Sequence, residues 1–117
     1  MNSQKIVFTL LVLAALVLAA CGGGGAPAGV SVKAEDLKFT PNTLTAKAGE
    51  SVTVNMQNAG ALEHSLIIDE LSVRLEKVQP GQNASVTFTA STAGTYTFYC
   101  DVPGHKEAGM TGTLTVN

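Results

Sequence analysis

The feature that most constrains this chain is a two-residue alternation of polar and apolar side chains in short segments. It is clearest at residues 51–56, 84–89, 95–100 and 113–116. Successive side chains of a β-strand point to opposite faces of the sheet, so this alternation is typical of strands with one buried face. An amphipathic helix would instead repeat its apolar residues about every 3.6 positions. The alternation therefore predicts an all-β fold.

Shorter apolar segments extend this prediction along the chain. Further strands are expected at residues 30–33, 37–39, 44–46 and 64–68. Glycine, proline and asparagine interrupt the sequence between these segments, as such residues do in turns. Short strands separated by turns of this kind are typical of a β-sandwich.

Residues 69–78 are compatible with two structures. Leu71, Leu75 and Val78 would share one face of a helix, whereas Leu71, Val73 and Leu75 would share one face of a strand. We therefore predict an irregular excursion here that includes a single helical turn.

Residues 1–20 have the pattern of an export signal rather than of folded structure. Lys5 supplies a positive charge, and an apolar run at residues 6–18 follows it, interrupted only by Thr9. This run is shorter than the roughly 20 residues that a membrane-spanning helix needs. Small residues precede Cys21, as at a signal-peptide cleavage site. We predict that residues 1–20 are removed.

The sequence Leu-Ala-Ala-Cys at residues 18–21 resembles the lipobox of bacterial lipoproteins. The resemblance implies a lipid on the sulfur of Cys21, and a plain secretory signal with an incidental cysteine is the alternative. Residues 21–29 would then be a lipidated cysteine and a glycine-rich, flexible tether. A folded domain is expected at residues 30–117, held to a membrane on its periplasmic or cell-surface side.

Cysteine usage and charge narrow the possible functions. With Cys21 acylated, Cys100 is the only cysteine left, so a disulfide is not available to stabilise a small exported domain. A metal site would use the thiol and add stability. The chain of 117 residues has a formal net charge of −2 and no basic stripe, which argues against nucleic acid as a partner.

A metal site is predicted by four residues near the ends of strands. Cys100, His105 and Met110 follow the spacing C-x4-H-x4-M, and His64 opens an earlier strand. Two imidazoles, one thiolate and a weakly bound thioether are the donor set of blue copper sites. Taken singly, each residue has a simpler explanation, such as a core cysteine or methionine or a packed histidine. Taken together at this spacing, they predict one copper ion per chain that alternates between Cu(I) and Cu(II).

The segment Y-C-D-V-P-G-H-K-E-A-G-M, with E-H-S upstream, resembles the cupredoxins, in particular plastocyanin-like and auracyanin-like members. The loop between cysteine and histidine is longer than is usual in plastocyanins and is similar to that of auracyanin-like proteins. The resemblance covers roughly residues 30–117. It implies a Greek-key β-sandwich of about seven or eight strands with copper at one end. The implied copper ligands are His64, Cys100, His105 and Met110.

The resemblance further implies a monomeric one-electron carrier rather than an enzyme. Its partners would be redox proteins outside the cytoplasm, such as cytochromes, an oxidase or photosynthetic complexes. Copper storage or delivery is the alternative function, although delivery sites are typically exposed clusters of Met and His. Enzymes that add a second, catalytic copper need more histidines than the two present. A metal-free adhesion domain would leave Cys100 and both histidines unexplained.

Overall fold

The computed structural model describes residues 28–117, so the predicted signal, Cys21 and residues 22–27 of the tether lie outside the described part. Nine β-strands form two sheets. No helix within residues 28–117 is long and apolar enough to cross a membrane. The strands are β1 Ala28–Glu35, β2 Lys38–Thr40, β3 Thr43–Ala46, β4 Ser51–Asn58, β5 His64–Ile68, β6 Val73–Val78, β7 Asn83–Thr89, β8 Gly94–Tyr99 and β9 Thr111–Val116.

The two sheets form a sandwich, which confirms the predicted all-β fold. One sheet has the order β2-β1-β4-β7 and the other the order β3-β9-β8-β5-β6. Each sheet contains one parallel pair, β1 with β4 and β3 with β9, and the remaining pairs are antiparallel. The strand count is nine rather than seven or eight, because the segment after β5 adds an edge strand, β6.

The core is built from the inward-facing positions of the alternating segments. Phe98 on β8 is fully buried, and its ring meets that of Phe39 edge-on with centroids 5.1 Å apart. This geometry is one that aromatic pairs prefer. Gly112, on the neighbouring strand β9, gives the Phe98 ring its space, because a Cβ at this position would overlap the ring. The Phe39–Phe98 pair therefore packs one sheet against the other beside β8 and β9, the strands next to Cys100 and Met110.

The segment at residues 69–78 differs from the predicted irregular excursion. One turn of 3-10 helix covers Asp69–Leu71, and the rest is the regular edge strand β6. Leu75 pairs with Leu66 and Val78 pairs with His64, so β6 has one extra residue between these pairs. Such an extra residue is a β-bulge, which bends the strand locally. The prediction was therefore right for the helical turn and wrong for residues 73–78.

Strand order brings the predicted ligand segments to one end of the sandwich. β5 pairs with β8 through Ile67 and Tyr99. β8 in turn pairs with β9, and residues 100–110 connect these two strands. As a consequence, the first residues of β5 lie beside the residues that directly follow β8.

Candidate metal centre

The four predicted ligand residues all lie at this end of the sandwich. His64 opens β5, Cys100 directly follows β8, His105 lies in the β8–β9 loop, and Met110 directly precedes β9. His64, Cys100 and Met110 have no exposed surface, and His105 is 8% exposed. Segments far apart in sequence supply these residues, so the cluster forms only when the two strands and the loop are in place.

The atoms that would bind a metal are close to one another. The Cys100 sulfur lies 3.5 Å from Nδ1 of His105 and 3.9 Å from Nδ1 of His64. Ligand atoms of the three residues all lie within 4.8 Å of one another. Bonds of about 2.1 Å to nitrogen and about 2.3 Å to sulfur, as zinc forms in proteins, would separate sulfur and nitrogen by about 3.8 Å in a trigonal site. The two sulfur–nitrogen distances are therefore close to those of a trigonal metal site.

Backbone hydrogen bonds fix the loop between Cys100 and Met110. The Cys100 N–H donates to the Met110 carbonyl at 3.1 Å, and the Met110 N–H donates to the His105 carbonyl at 3.0 Å. The His105 N–H donates to the Val102 carbonyl, also at 3.0 Å. Gly104 has a φ of +86°, a left-handed conformation that favours glycine. Cys100, His105 and Met110 are thus held in one hydrogen-bonded unit.

The sulfur of Cys100 is also contacted by the residue after His64. The Ser65 N–H donates to Cys100 Sγ at 3.4 Å. The Ser65 hydroxyl accepts from the Asp101 N–H at 2.8 Å and donates to Asp101 Oδ1 at 2.5 Å. Arg74 on β6 donates to the other carboxylate oxygen of Asp101 at 2.8 Å. These bonds tie β5 to the loop that carries Cys100 and His105.

Burial favours the neutral form of the His64 side chain. Burial lowers the pKa of its imidazole, and the neighbouring Asp36 carboxylate opposes this effect only in part. A neutral imidazole keeps a nitrogen lone pair, which is the form that binds metals. The Nδ1 side of the ring faces Cys100, so this nitrogen is the one directed at the metal centre.

The loop before His64 is held by the buried side chain of Asn58. Its amide nitrogen donates to the carbonyls of Leu62 and Val78 at 2.7 and 2.8 Å. Its amide oxygen accepts from the Gly60 N–H at 2.9 Å. One side chain therefore connects the end of β4, the loop at residues 59–63 and the end of β6, and so fixes where β5 begins.

We expect Asn58→Ala to lower the free energy of unfolding of the metal-free protein by about 1–3 kcal/mol, because buried polar groups lose their partners. Chemical denaturation measures this change. Asn55→Ala is the matched control, since Asn55 lies on the exposed face of the same strand. Exposed substitutions of this kind usually change stability by less than about 0.5 kcal/mol. Equal effects of the two substitutions would contradict the structural role of Asn58.

His105 lies at the boundary between the cluster and solvent. Loop residues around it are exposed, including Pro103, Gly104 and Ala108. Leu62 from the other loop is 47% exposed, a high value for a large apolar side chain. The exposed loop surface beside His105 thus combines these apolar residues with the charged Lys106 and Glu107.

Sequence reasoning did not single out Asn58 or Asp101. Both make contacts with residues distant in sequence, Asn58 with Val78 and Asp101 with Ser65. The only signal was position: Asn58 lies two residues after the predicted strand at 51–56, and Asp101 follows the predicted cysteine ligand.

The chain is similar to known proteins in both sequence and fold. Residues 7–116 match the family described as Cupredoxin-like domain. Auracyanin-A of Chloroflexus aurantiacus is 32% identical, over 97% of this chain and 100% of that protein. The chloroplastic plastocyanin of Oryza sativa subsp. indica is 38% identical, over 69% of this chain and 56% of that protein. Reduced auracyanin from Roseiflexus castenholzii has a similar fold, with a TM-score of 0.71 over 80% of this chain and 99% of that one, at 23% identity.

Proposed function

The chain belongs to the cupredoxin-like family, and from this membership we propose that it is a type 1 copper protein that carries single electrons. One observation carries the proposal: Cys100 Sγ lies 3.5 and 3.9 Å from the Nδ1 atoms of two histidines in a buried cluster. In the proposal, His64, Cys100 and His105 would hold the copper, and the Met110 thioether would be a further, weak donor. Copper in such a site supplies a reversible couple between Cu(II) and Cu(I).

The protein contributes a fixed set of donors. Backbone hydrogen bonds connect Cys100, His105 and Met110, and Ser65 joins this loop to β5. Donors held in this way cannot relax fully toward the geometry that either oxidation state prefers. A small structural change on electron transfer is the property that a carrier needs.

His105 is the proposed point of electron entry and exit. It is the one member of the cluster that is not fully buried, and exposed loop residues such as Pro103, Gly104 and Ala108 lie beside it. Weak electron-transfer complexes bury little area, so a small exposed loop surface suits brief docking. We propose redox proteins as donors and acceptors and a monomer as the working form.

We also propose that the protein works outside the cytoplasm on a membrane anchor. The support is the lipobox-like sequence ending at Cys21, together with the glycine-rich residues that follow it. Two or more acyl chains hold a protein firmly on a membrane. A tether of this kind lets the folded domain reach partners in the same membrane.

Copper storage or delivery requires that the metal leave its site. Here His64, Cys100 and Met110 have no exposed surface, and hydrogen bonds close the loop over the cluster. This burial favours retention of copper, and hence the function of an electron carrier.

Within residues 28–117, His64, Cys100 and His105 form the single metal-capable group of His, Cys and acidic side chains. We propose an electron carrier rather than an enzyme, because both histidines of the sequence belong to this one group and none is left for a second, catalytic copper.

Titration of the metal-free protein with Cu(II), followed by optical and EPR spectroscopy, tests the proposed function. We expect an intense visible sulfur-to-copper charge-transfer band and a narrow copper hyperfine splitting at one copper per chain. A mild reductant should bleach the band reversibly without releasing copper. Pale binding that a chelator strips easily would favour copper delivery instead, and absence of binding by the folded protein would exclude both functions.

A further inference from the structure

One buried nitrogen in the metal centre has no hydrogen-bond partner. Within residues 28–117, His64 Nε2 is the single such atom among the buried side-chain nitrogens and oxygens. Buried polar groups in proteins nearly always have a partner, so each exception needs an explanation. The Asp36 carboxylate is close: its Oδ1 lies 3.4 Å from this nitrogen. Asp36 lies in the turn between β1 and β2, which belong to the opposite sheet.

Asp36 is held in this position by the loop that precedes His64. The Ala61 N–H donates to Asp36 Oδ1 at 2.9 Å. This hydrogen bond is also the main reason that the pKa of the Asp36 carboxyl lies below its ordinary value. The β1 strand is tied to the same loop, since the Ala59 N–H donates to the Ala34 carbonyl at 2.8 Å. The hydrogen bonds of Ala61 to Asp36 and of Ala59 to Ala34 therefore hold the carboxylate against the His64 imidazole.

Gly60 is what makes this approach possible. A Cβ at residue 60 would overlap Asp36 Oδ1 and would lie 2.9 Å from His64 Nε2. Any other residue here would enter the space between the carboxylate and the ring. The half-exposed side chain of Asp36 thus contacts the edge of the buried His64 ring across Gly60.

The tautomer of His64 follows from the donor geometry. If Nδ1 binds a metal, the neutral imidazole carries its proton on Nε2, and this buried N–H needs an acceptor. Metal-bound histidines commonly donate this second N–H to a carboxylate or a carbonyl, which fixes the ring and makes it a stronger ligand. Asp36 Oδ1 is the carboxylate oxygen within reach.

We propose that Asp36 is a positioning residue for the metal centre, which accepts the Nε2–H of His64, orients Nδ1 toward the metal and stabilises the oxidised state. The inference rests on the proposed copper site. The oxidised site carries one more positive charge than the reduced site, so a nearby carboxylate and a stronger imidazole ligand both favour oxidation. Removal of the carboxylate should therefore raise the reduction potential.

Three variants test the role of Asp36. Asp36→Ala removes both charge and acceptor, and we expect its Cu(II) dissociation constant to rise about 10–100-fold, as for other partners of metal ligands. Asp36→Asn keeps an acceptor of the same shape and should restore much of this affinity, while its potential stays above that of the wild type. Each tenfold loss in Cu(II) affinity relative to Cu(I) corresponds to a rise of about 59 mV.

Glu35→Gln is the matched control. It removes the same charge one residue away, where Glu35 pairs with Lys38 at 3.2 Å and accepts from Thr40. We expect its potential and copper affinity to equal those of the wild type. Equal potential shifts in Glu35→Gln and Asp36→Asn would mean a general charge effect and would overturn the proposal, as would wild-type affinity in Asp36→Ala.

A second measurement does not depend on copper. Nitrogen-15 NMR of the metal-free protein reports which ring nitrogen of His64 carries the proton. We expect the Nε2–H tautomer in the wild type and in Asp36→Asn, and a loss of this preference in Asp36→Ala. An unchanged tautomer in Asp36→Ala would overturn the positioning role even if the blue site forms. Absence of a blue site in the wild type would instead contradict the proposed function, and the tautomer would still decide the role of Asp36.

Discussion

Replacing Cys100 with alanine is expected to abolish the intense visible band of the copper-loaded protein completely. The band arises from charge transfer between a thiolate and Cu(II), and Cys100 is the free cysteine of the described residues. Its sulfur is within 4.8 Å of ligand atoms on both histidines. Within residues 28–117 there is no second thiol that could replace it. Optical and EPR spectra at one equivalent of Cu(II) measure the change, and circular dichroism checks that the strands remain.

The second cysteine of the sequence provides the control. Cys21→Ala should leave the band, the copper stoichiometry and the potential unchanged, because Cys21 lies before the proposed domain. In cells, the same substitution should release the protein from the membrane fraction, since the proposed lipid would have no attachment site. A blue band that survives Cys100→Ala, or disappears in Cys21→Ala, would refute the assignment of the thiolate ligand.

The sequence predicted the strands well where the information is local. Alternating side chains marked β4, β7, β8 and β9, because one face of each strand packs in the core and the other does not. β5 was predicted with the bounds that the structure shows, since turn residues precede it and all five of its residues are apolar or site residues. The structure then brought the predicted ligands together, as their positions at strand ends had indicated.

The edge strand β6 shows where such reasoning fails. Its buried residues Val73, Leu75 and Val78 change spacing from two to three. The change follows from the extra residue in its pairing with β5, where Lys77 takes a φ of +56°. A spacing of three is also what a helix would show, so the apolar pattern alone could not separate the two structures. The hydrogen-bonded pairing of residues 73–78 with β5 is what makes this segment a strand.

The contacts of Asp36 and Asp101 at the metal centre could not be predicted for a different reason. Asp36 reaches His64 only because β1 pairs in parallel with β4, which places the β1–β2 turn beside the loop after β4. Asp101 meets Ser65 only because β5 lies beside β8. These contacts depend on strand order, which a single sequence with no pairing information does not determine.

A large effect on the reduction potential is expected when Met110 is replaced. Met110→Leu should keep the blue colour and raise the reduction potential, because Cu(II) loses a weak sulfur donor while the thiolate and both imidazoles remain. The expected rise is on the order of one or more tenfold changes in relative affinity for the two oxidation states, about 59 mV for each. Voltammetry of the copper-loaded protein measures the potential, and the optical band confirms that the thiolate still binds.

Met56→Leu is the control for this prediction, because Met56 is equally buried but lies on β4 in the sandwich core. Methionine and leucine have similar volumes, so either substitution should cost less than about 1.5 kcal/mol of stability. Met56→Leu should therefore leave the potential unchanged, although it alters the core as much as Met110→Leu does. A potential that falls in Met110→Leu, or that shifts equally in both variants, would show that Met110 is a core residue and not a copper ligand.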